Sequence, residues 1–286
     1  GGTDFLISAS ASALGDDLVI GKDDQGTASG NNWVTFHNQT QTLAINGGAN
    51  ITVNGPVSSL DNWLVFDTDT TVPGMANQAI STAASSSYIN NYDKVVRSGA
   101  GGISIDTPIY NNSGSELQLT AGLGVNKSNA TTGNNSIDQQ GGTTDLSGGV
   151  TLALAQGFLL NGGYLLTYGT ATDTIDLIGG TMTMSGGTLQ ISADNTANYG
   201  QLTVQGSMTW SGGTYQTYVQ TGGVGRDLLN VTSGLTTQAA ATLRVNGASG
   251  IGSWWVVTYA SQAGAKPTII GAQYDNVPGG FAVKSS

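Results

Sequence analysis

Over much of the chain apolar and polar residues alternate one by one in short runs, and pairs of glycine end those runs. TMTM, TLQIS, QLTVQG, SMTW and TYQTYV all show this alternation, which predicts half-buried β-strands. Further glycine pairs begin at positions 47, 101, 141, 148, 162 and 222 and punctuate LAIN, ITVNG, ISID, LQLTAG and VTLALA, more strand-like runs closed by turn signals. The strongest internal signal is a near-duplicate. TMTMSGGTLQ at 181–190 returns as SMTWSGGTYQ at 207–216, so positions 181 and 207 repeat at an offset of 26 residues. A period in this range marks a stacked architecture, because one coil cannot bury its inward side chains alone and must lie on the next. The expected fold is all-β, a right-handed parallel β-solenoid with coils of about 25 residues and a rod on the order of 50 Å long. A β-sandwich is the alternative that short strands and glycine turns also permit.

Three regions follow from the pattern: a β-rich stretch at 1–140, a Gly-rich repeat region at 141–246, and a C-terminal segment at 247–286 that caps the stack or docks on a neighbour. Two stretches break the strand rhythm and read as loops leaving the rod. One, at 70–93, carries an Ala/Ser run suited to a short helix; the other, at 126–144, is almost wholly polar. Loops on a rigid scaffold are where specificity is usually placed. The greasiest segment, GVTLALAQGFLLNGGYLLTYG, is broken by Gln156, Asn161, Gly162 and Gly163. It reads as a pair of strands, and no membrane insertion is expected. Gly1 reads as the start of a trimmed chain whose export segment has been removed.

Composition strengthens the β reading. Charged residues are only 9% of the 286, and 44 glycines with many Ser, Thr, Asn and Gln clothe the surface instead, a poor mixture for helices. Glu116 is the sole Glu beside seventeen Asp, and Asp serves turns where Glu favours helix faces. A net charge of -10 argues against nucleic acid, which requires a basic footprint. With no cysteine, disulfides and thiolate metal sites are excluded.

From position 225 the chain reads GRDLLNVTSGLTTQAAATLRVNG and then SWWVVTYASQAGAKPTIIGAQYDNVPGGFAV. A D-x-L-x-V strand, a Gly-rich strand pair and a T-Y-x-S-x-x-G segment follow one another there. Together with the SGGT strands upstream, this stretch, 177–286, resembles the C-terminal part of bacterial autotransporter passengers and filamentous surface proteins. The resemblance implies a parallel β-solenoid outside the cell, used in adhesion, coats or filaments, and it does not imply catalysis.

Candidate chemistry is sparse. GGVGRDLLN at 222–230 matches the calcium nonapeptide pattern with Asp227 at the ligand position, although a second copy nine residues away is missing. DNWLVFDTD offers Asp67 and Asp69 as further hard oxygen ligands; Asx turns explain such residues equally. Calcium is thus the one cofactor left open. For an enzyme, Arg97, Arg226 and Arg244 stand isolated in sequence, His37 is the only histidine, and neither a GHG triplet nor an RxPxxR run occurs; no catalytic residue is assigned. Trp33, Trp63 and Trp210 are candidate platforms for sugar rings. Trp254, Trp255 and Tyr259, in the C-terminal segment, are candidates for an assembly face, and within SWWVV alternation turns one Trp inward if the other faces out.

These observations converge on a non-catalytic extracellular structural protein of the cell surface, a subunit of a filament, fibre or matrix that docks on itself head to tail. A monomeric adhesin that binds polysaccharide is the alternative.

Overall fold

The computed structural model describes residues 3–7, 11–14, 18–20, 32–37, 42–45, 51–53, 62–67, 78–82, 89–98, 103–106, 109–112, 115–120, 136–147, 149, 151–154, 156–167, 170–192, 199–220, 225–247, 253–275 and 280–284. All secondary structure among them is β. The first coil carries β1 (Thr3–Ile7), β2 (Ala11–Leu14) and β3 (Leu18–Ile20); the second carries β4 (Asn32–His37), β5 (Thr42–Ile45) and β6 (Ile51–Val53). The third has β7 (Asn62–Asp67), β8 (Gln78–Thr82) and β9 (Ile89–Asn91), and the fourth β10 (Lys94–Ser98), β11 (Ile103–Asp106) and β12 (Ile109–Asn111). Next come β13 (Glu116–Thr120) with β14 (Ser136–Gln139), then β15 (Thr143–Ser147) with β16 (Thr151–Leu154) and β17 (Gly157–Leu160). The later coils pair a short strand with a long one: β18 (Tyr164–Leu166) with β19 (Thr172–Met184), β20 (Thr188–Gln190) with β21 (Gln201–Trp210), β22 (Thr214–Tyr218) with β23 (Leu228–Thr237), and β24 (Thr242–Asn246) with β25 (Ser253–Gly264). β26 (Thr268–Ile270), β27 (Gln273–Asp275) and β28 (Gly280–Lys284) end the fold.

The expected β-solenoid is what forms. The strand that opens each coil joins an 11-stranded parallel sheet running from β1 to β26, here sheet I, which extends about 50 Å at the usual ladder spacing. β2, β5, β8 and β11 make a 4-stranded sheet II, and the closing strands make a 13-stranded sheet III. Four three-sided coils therefore lead into coils in which two sides merge. In β19 the merger is visible as a register slip between Asp176 and Thr181: its first half pairs with β16 and its second with β17. Sheet III is parallel except at its end, where β28 runs antiparallel to both β25 and β27.

The Gly-Gly corner between sheet III and sheet I sets the stacking. Gly142, Gly163, Gly187 and Gly213 sit at φ of 63°, 67°, 66° and 75°, a left-handed conformation that L side chains resist. Each corner carbonyl accepts a hydrogen bond from the next coil: Gly142 O from Tyr164 N at 2.8 Å, Gly163 O from Thr188 N at 2.8 Å, and Gly187 O from Thr214 N at 2.9 Å. A Cβ on Gly163 would lie 2.1 Å from Gly142 O.

Inside the corner runs a single inward row, one residue per coil: Val53, Asn91, Asn111, Gln139, Leu160, Met184, Trp210 and Thr237. All of them are fully buried. The three amides satisfy one another, as buried polar groups must. Asn91 Nδ2 donates to Asn111 Oδ1 at 2.7 Å and to Glu116 O at 2.9 Å; Asn111 Nδ2 donates to Gln139 Oε1 at 2.8 Å and to Thr143 O at 3.0 Å. Gln139 Nε2 turns back onto Gly141 O and so closes the ladder. Beyond it the row is apolar up to Trp210, whose ring meets Tyr215 edge-on at 6.3 Å. A parallel row of Ile51, Ile89, Ile109, Ile137, Phe158, Met182, Met208 and Leu235 is apolar throughout and buried.

Two stretches expected as loops hold strands in their described parts; 70–77, 83–88 and 126–135 lie outside the described residues. The 70–93 stretch holds β8 and β9 and no helix among its described residues, and 126–144 ends in β14 and the start of β15. Polarity hides these strands: beside Ile89 and Ile137, the inward places there are taken by Asn91, Gln139 and Thr144, buried through hydrogen bonds. The segment read as a pair of strands, 149–169, carries three, β16, β17 and β18.

Two stability measurements test this account. Gly163→Ala is expected to lower the urea midpoint by the equivalent of about 3 kcal/mol. Gly149→Ala, at φ 85° but with only Ala171 Cβ nearby at 3.5 Å, should lose about 1 kcal/mol; equal losses would remove the role given to corner stacking. Asn111→Leu, which strands the partners on both sides, should cost about 3 kcal/mol, against under about 1.5 kcal/mol for Leu160→Met one step along the apolar part of the row.

Candidate functional site

Asp227 sits immediately before β23, at the point where three pieces of chain converge. Its Oδ2 accepts from Ser192 Oγ at 2.8 Å and from Tyr218 N at 2.8 Å, and its Oδ1 from Gly200 N at 3.2 Å. Asp227 N in turn donates to Tyr218 O at 2.9 Å. The residue is wholly buried. Burial pushes its carboxyl above the usual 3.8, against the three hydrogen bonds, which pull it down. The neighbouring Tyr215 hydroxyl is pushed well above its ordinary value, first by its own burial and then by the Asp227 charge. The arrangement ties the segments at Ser192, Gly200 and Tyr218 to the start of β23, with both carboxylate oxygens committed to protein donors.

Asp67 closes β7 and pairs in register with His37 on β4 and Ser98 on β10, a juxtaposition that their separation by a whole coil conceals in the sequence. Asp69 lies outside the described residues. Among the described residues no three His, Asp or Glu side chains gather as a metal-holding group.

The tryptophans divide. Trp33 and Trp63 are register partners on adjacent strands of sheet I. Trp210 is corrected: its indole is buried in the stack, at the place that Met184 occupies one coil earlier, and offers no face to a sugar. The repeat itself carried that signal, since SMTW sets Trp210 where TMTM sets Met184. Trp254 is corrected too. It is buried, with its Nε1 donating to Gln220 O at 3.0 Å, and so is core and not an assembly surface. Trp255 is half-buried and lies over Gly280, where a Cβ would meet its ring at 2.7 Å. Tyr259 packs edge-on against Phe281 at 5.4 Å. The C-terminal segment is thus drawn onto β25 by the hairpin of β27 and β28, which buries Phe281, Ala282 and Val283.

Two shallow grooves lie on the outside of the rod, neither of them foreseen from sequence. One, of about 500 Å³, is on sheet I between Glu116, Thr143, Asp145 and Tyr164, with Gly142 and Gly163 at its edge. Within it Glu116 is held by Lys94 at 3.1 Å. The other, of about 470 Å³, is on sheet III beside Tyr110, Asp138, Gln156 and Thr183. Tyr110 and Tyr164 are among the exposed large side chains.

The Asp227 anchor predicts a pH dependence. Since folding raises its pKa, the folded chain holds the proton more tightly, and the stability this contributes is complete below 3.8 and is lost as pH rises through the folded value. The stability of the wild-type chain relative to Asp227→Asn should therefore fall as pH rises above about 4. A difference that rises, or stays constant, would contradict the burial-shifted carboxyl. Neither a protein-family model nor a curated protein matches this chain.

Proposed function

We propose that this chain is a non-catalytic structural rod of the cell exterior, a subunit of a surface filament, fibre or matrix that docks on itself head to tail. The observation that carries the reading is sheet I. Its ladder runs unbroken from β1 to β26, and strands that end such a ladder expose unpaired backbone groups that template another strand. β26 presents that edge with Ile270 about half exposed, 47%, while sheet III at the same end is closed by its antiparallel hairpin. Docking therefore falls to the edge of β26 and not to the buried Trp254. A net charge of -10 disfavours polyanionic partners. The likeness of 177–286 to autotransporter passengers is what sets the rod outside the cell in this reading.

Negative-stain electron microscopy across a concentration series tests it. Unbranched fibres of constant width are expected, and Ile270→Lys should leave single folded rods. Single rods of the wild-type chain at every concentration would overturn the proposal.

A further inference from the structure

The outward row that opens the strands of sheet I is threonine at its C-terminal end and mixed beyond it. From the C-terminal end it reads Thr268, Thr242, Thr214 and Thr188, and then Tyr164, Thr143, Glu116 and Lys94. Thr is a natural occupant of a pleated, half-exposed position. Tyr164 puts a phenol ring there instead and leaves it half in water, 50% exposed, although Thr on either side shows that the fold does not require an aromatic residue. The ring borders the groove on sheet I.

The groove has the parts that a pyranose ring needs. Tyr164 supplies a flat apolar platform of the kind that small-molecule sites use, with a few placed polar groups around it. Glu116 lies in the same row two coils away, about 10 Å by the ladder spacing, and Asp145 stands one coil away in the next outward row, opposite Leu166. Carboxylates accept hydroxyl donors in strong, charge-assisted bonds, and these two flank the platform on one side. Gly142 and Gly163 at the edge are locked in the left-handed corner and carry no side chain to fill the space. Lys94 pairs with Glu116 at 3.1 Å, and the chain's net charge of -10 disfavours anionic sugars.

We infer that this groove binds a neutral hexopyranose unit of a glycan, its C–H face on Tyr164 and its hydroxyls on Glu116 and Asp145. The inference goes beyond the structural role and is independent of it, since fibre formation and sugar binding are read separately. Isothermal titration of the purified chain with neutral cello-, manno-, malto- and chitohexaose is the test. Binding of at least one is expected, weakened about tenfold or more by Tyr164→Thr and by Asp145→Asn and kept by Tyr164→Phe. Tyr164→Thr restores the residue of the neighbouring coils, and its melting curve shows whether the rod is intact. Tyr110→Thr, in the other groove, should bind as the wild type does. Failure of all four sugars to bind at millimolar concentration would overturn the inference. So would undiminished binding by an intact Tyr164→Thr variant, or loss on Tyr110→Thr alone.

Discussion

At the corner between sheet III and sheet I the backbones of successive coils approach so closely that no side chain fits between them. Gly142, Gly163, Gly187 and Gly213 meet this demand together with a left-handed φ, and each carbonyl is then aimed at the amide that opens the following strand. Strand register in both sheets follows from this contact. With the corners aligned, the residue just before each turn falls into one inward row and the second residue after the left-handed glycine into another, which brings Leu165, Leu189 and Tyr215 into line. A shift of one residue would turn every one of these side chains outward. The corner thus fixes which residues become core.

The inward row shows two ways to fill the same space. In the N-terminal coils Asn91, Asn111 and Gln139 form a buried amide ladder, each accepting a side-chain N–H bond from the last, while from Leu160 to Trp210 the row relies on apolar contact. Half-satisfied networks are worse than apolar cores, and the ladder avoids that fate by ending on its own coil at Gly141 O. Asp227 solves a similar problem for an irregular segment, gathering Ser192, Gly200 and Tyr218 about a carboxylate where no repeated corner does so.

How much of this was legible depended on what the inward residues were. Where Met, Leu and Trp alternate with Thr, the strands and their corner could be read from TMTMSGGTLQ and its near-duplicate. Where Asn and Gln take the inward places, period-two hydrophobicity vanishes, and β9 and β14 passed for loops. The three-sided shape of the first coils was likewise hidden, because sequence alternation reports a strand and not the sheet that it joins. Trp210 and Trp254 passed for surface because bulk and aromaticity alone carry no direction. The grooves beside Tyr110 and Tyr164 were out of reach of any linear reading, since their walls come from coils that only the stacking register brings together.

The stacking has a kinetic side. Every coil closes on its neighbour through contacts about 25 residues apart in sequence, as Tyr164 with Thr188 and Thr188 with Thr214, so the separation between partners is set by the circumference of one coil and not by the length of the chain. The entropy of closing a loop grows with that separation. A further coil therefore repeats a cost already met, and a rod of this design can lengthen without slowing the formation of any one of its contacts.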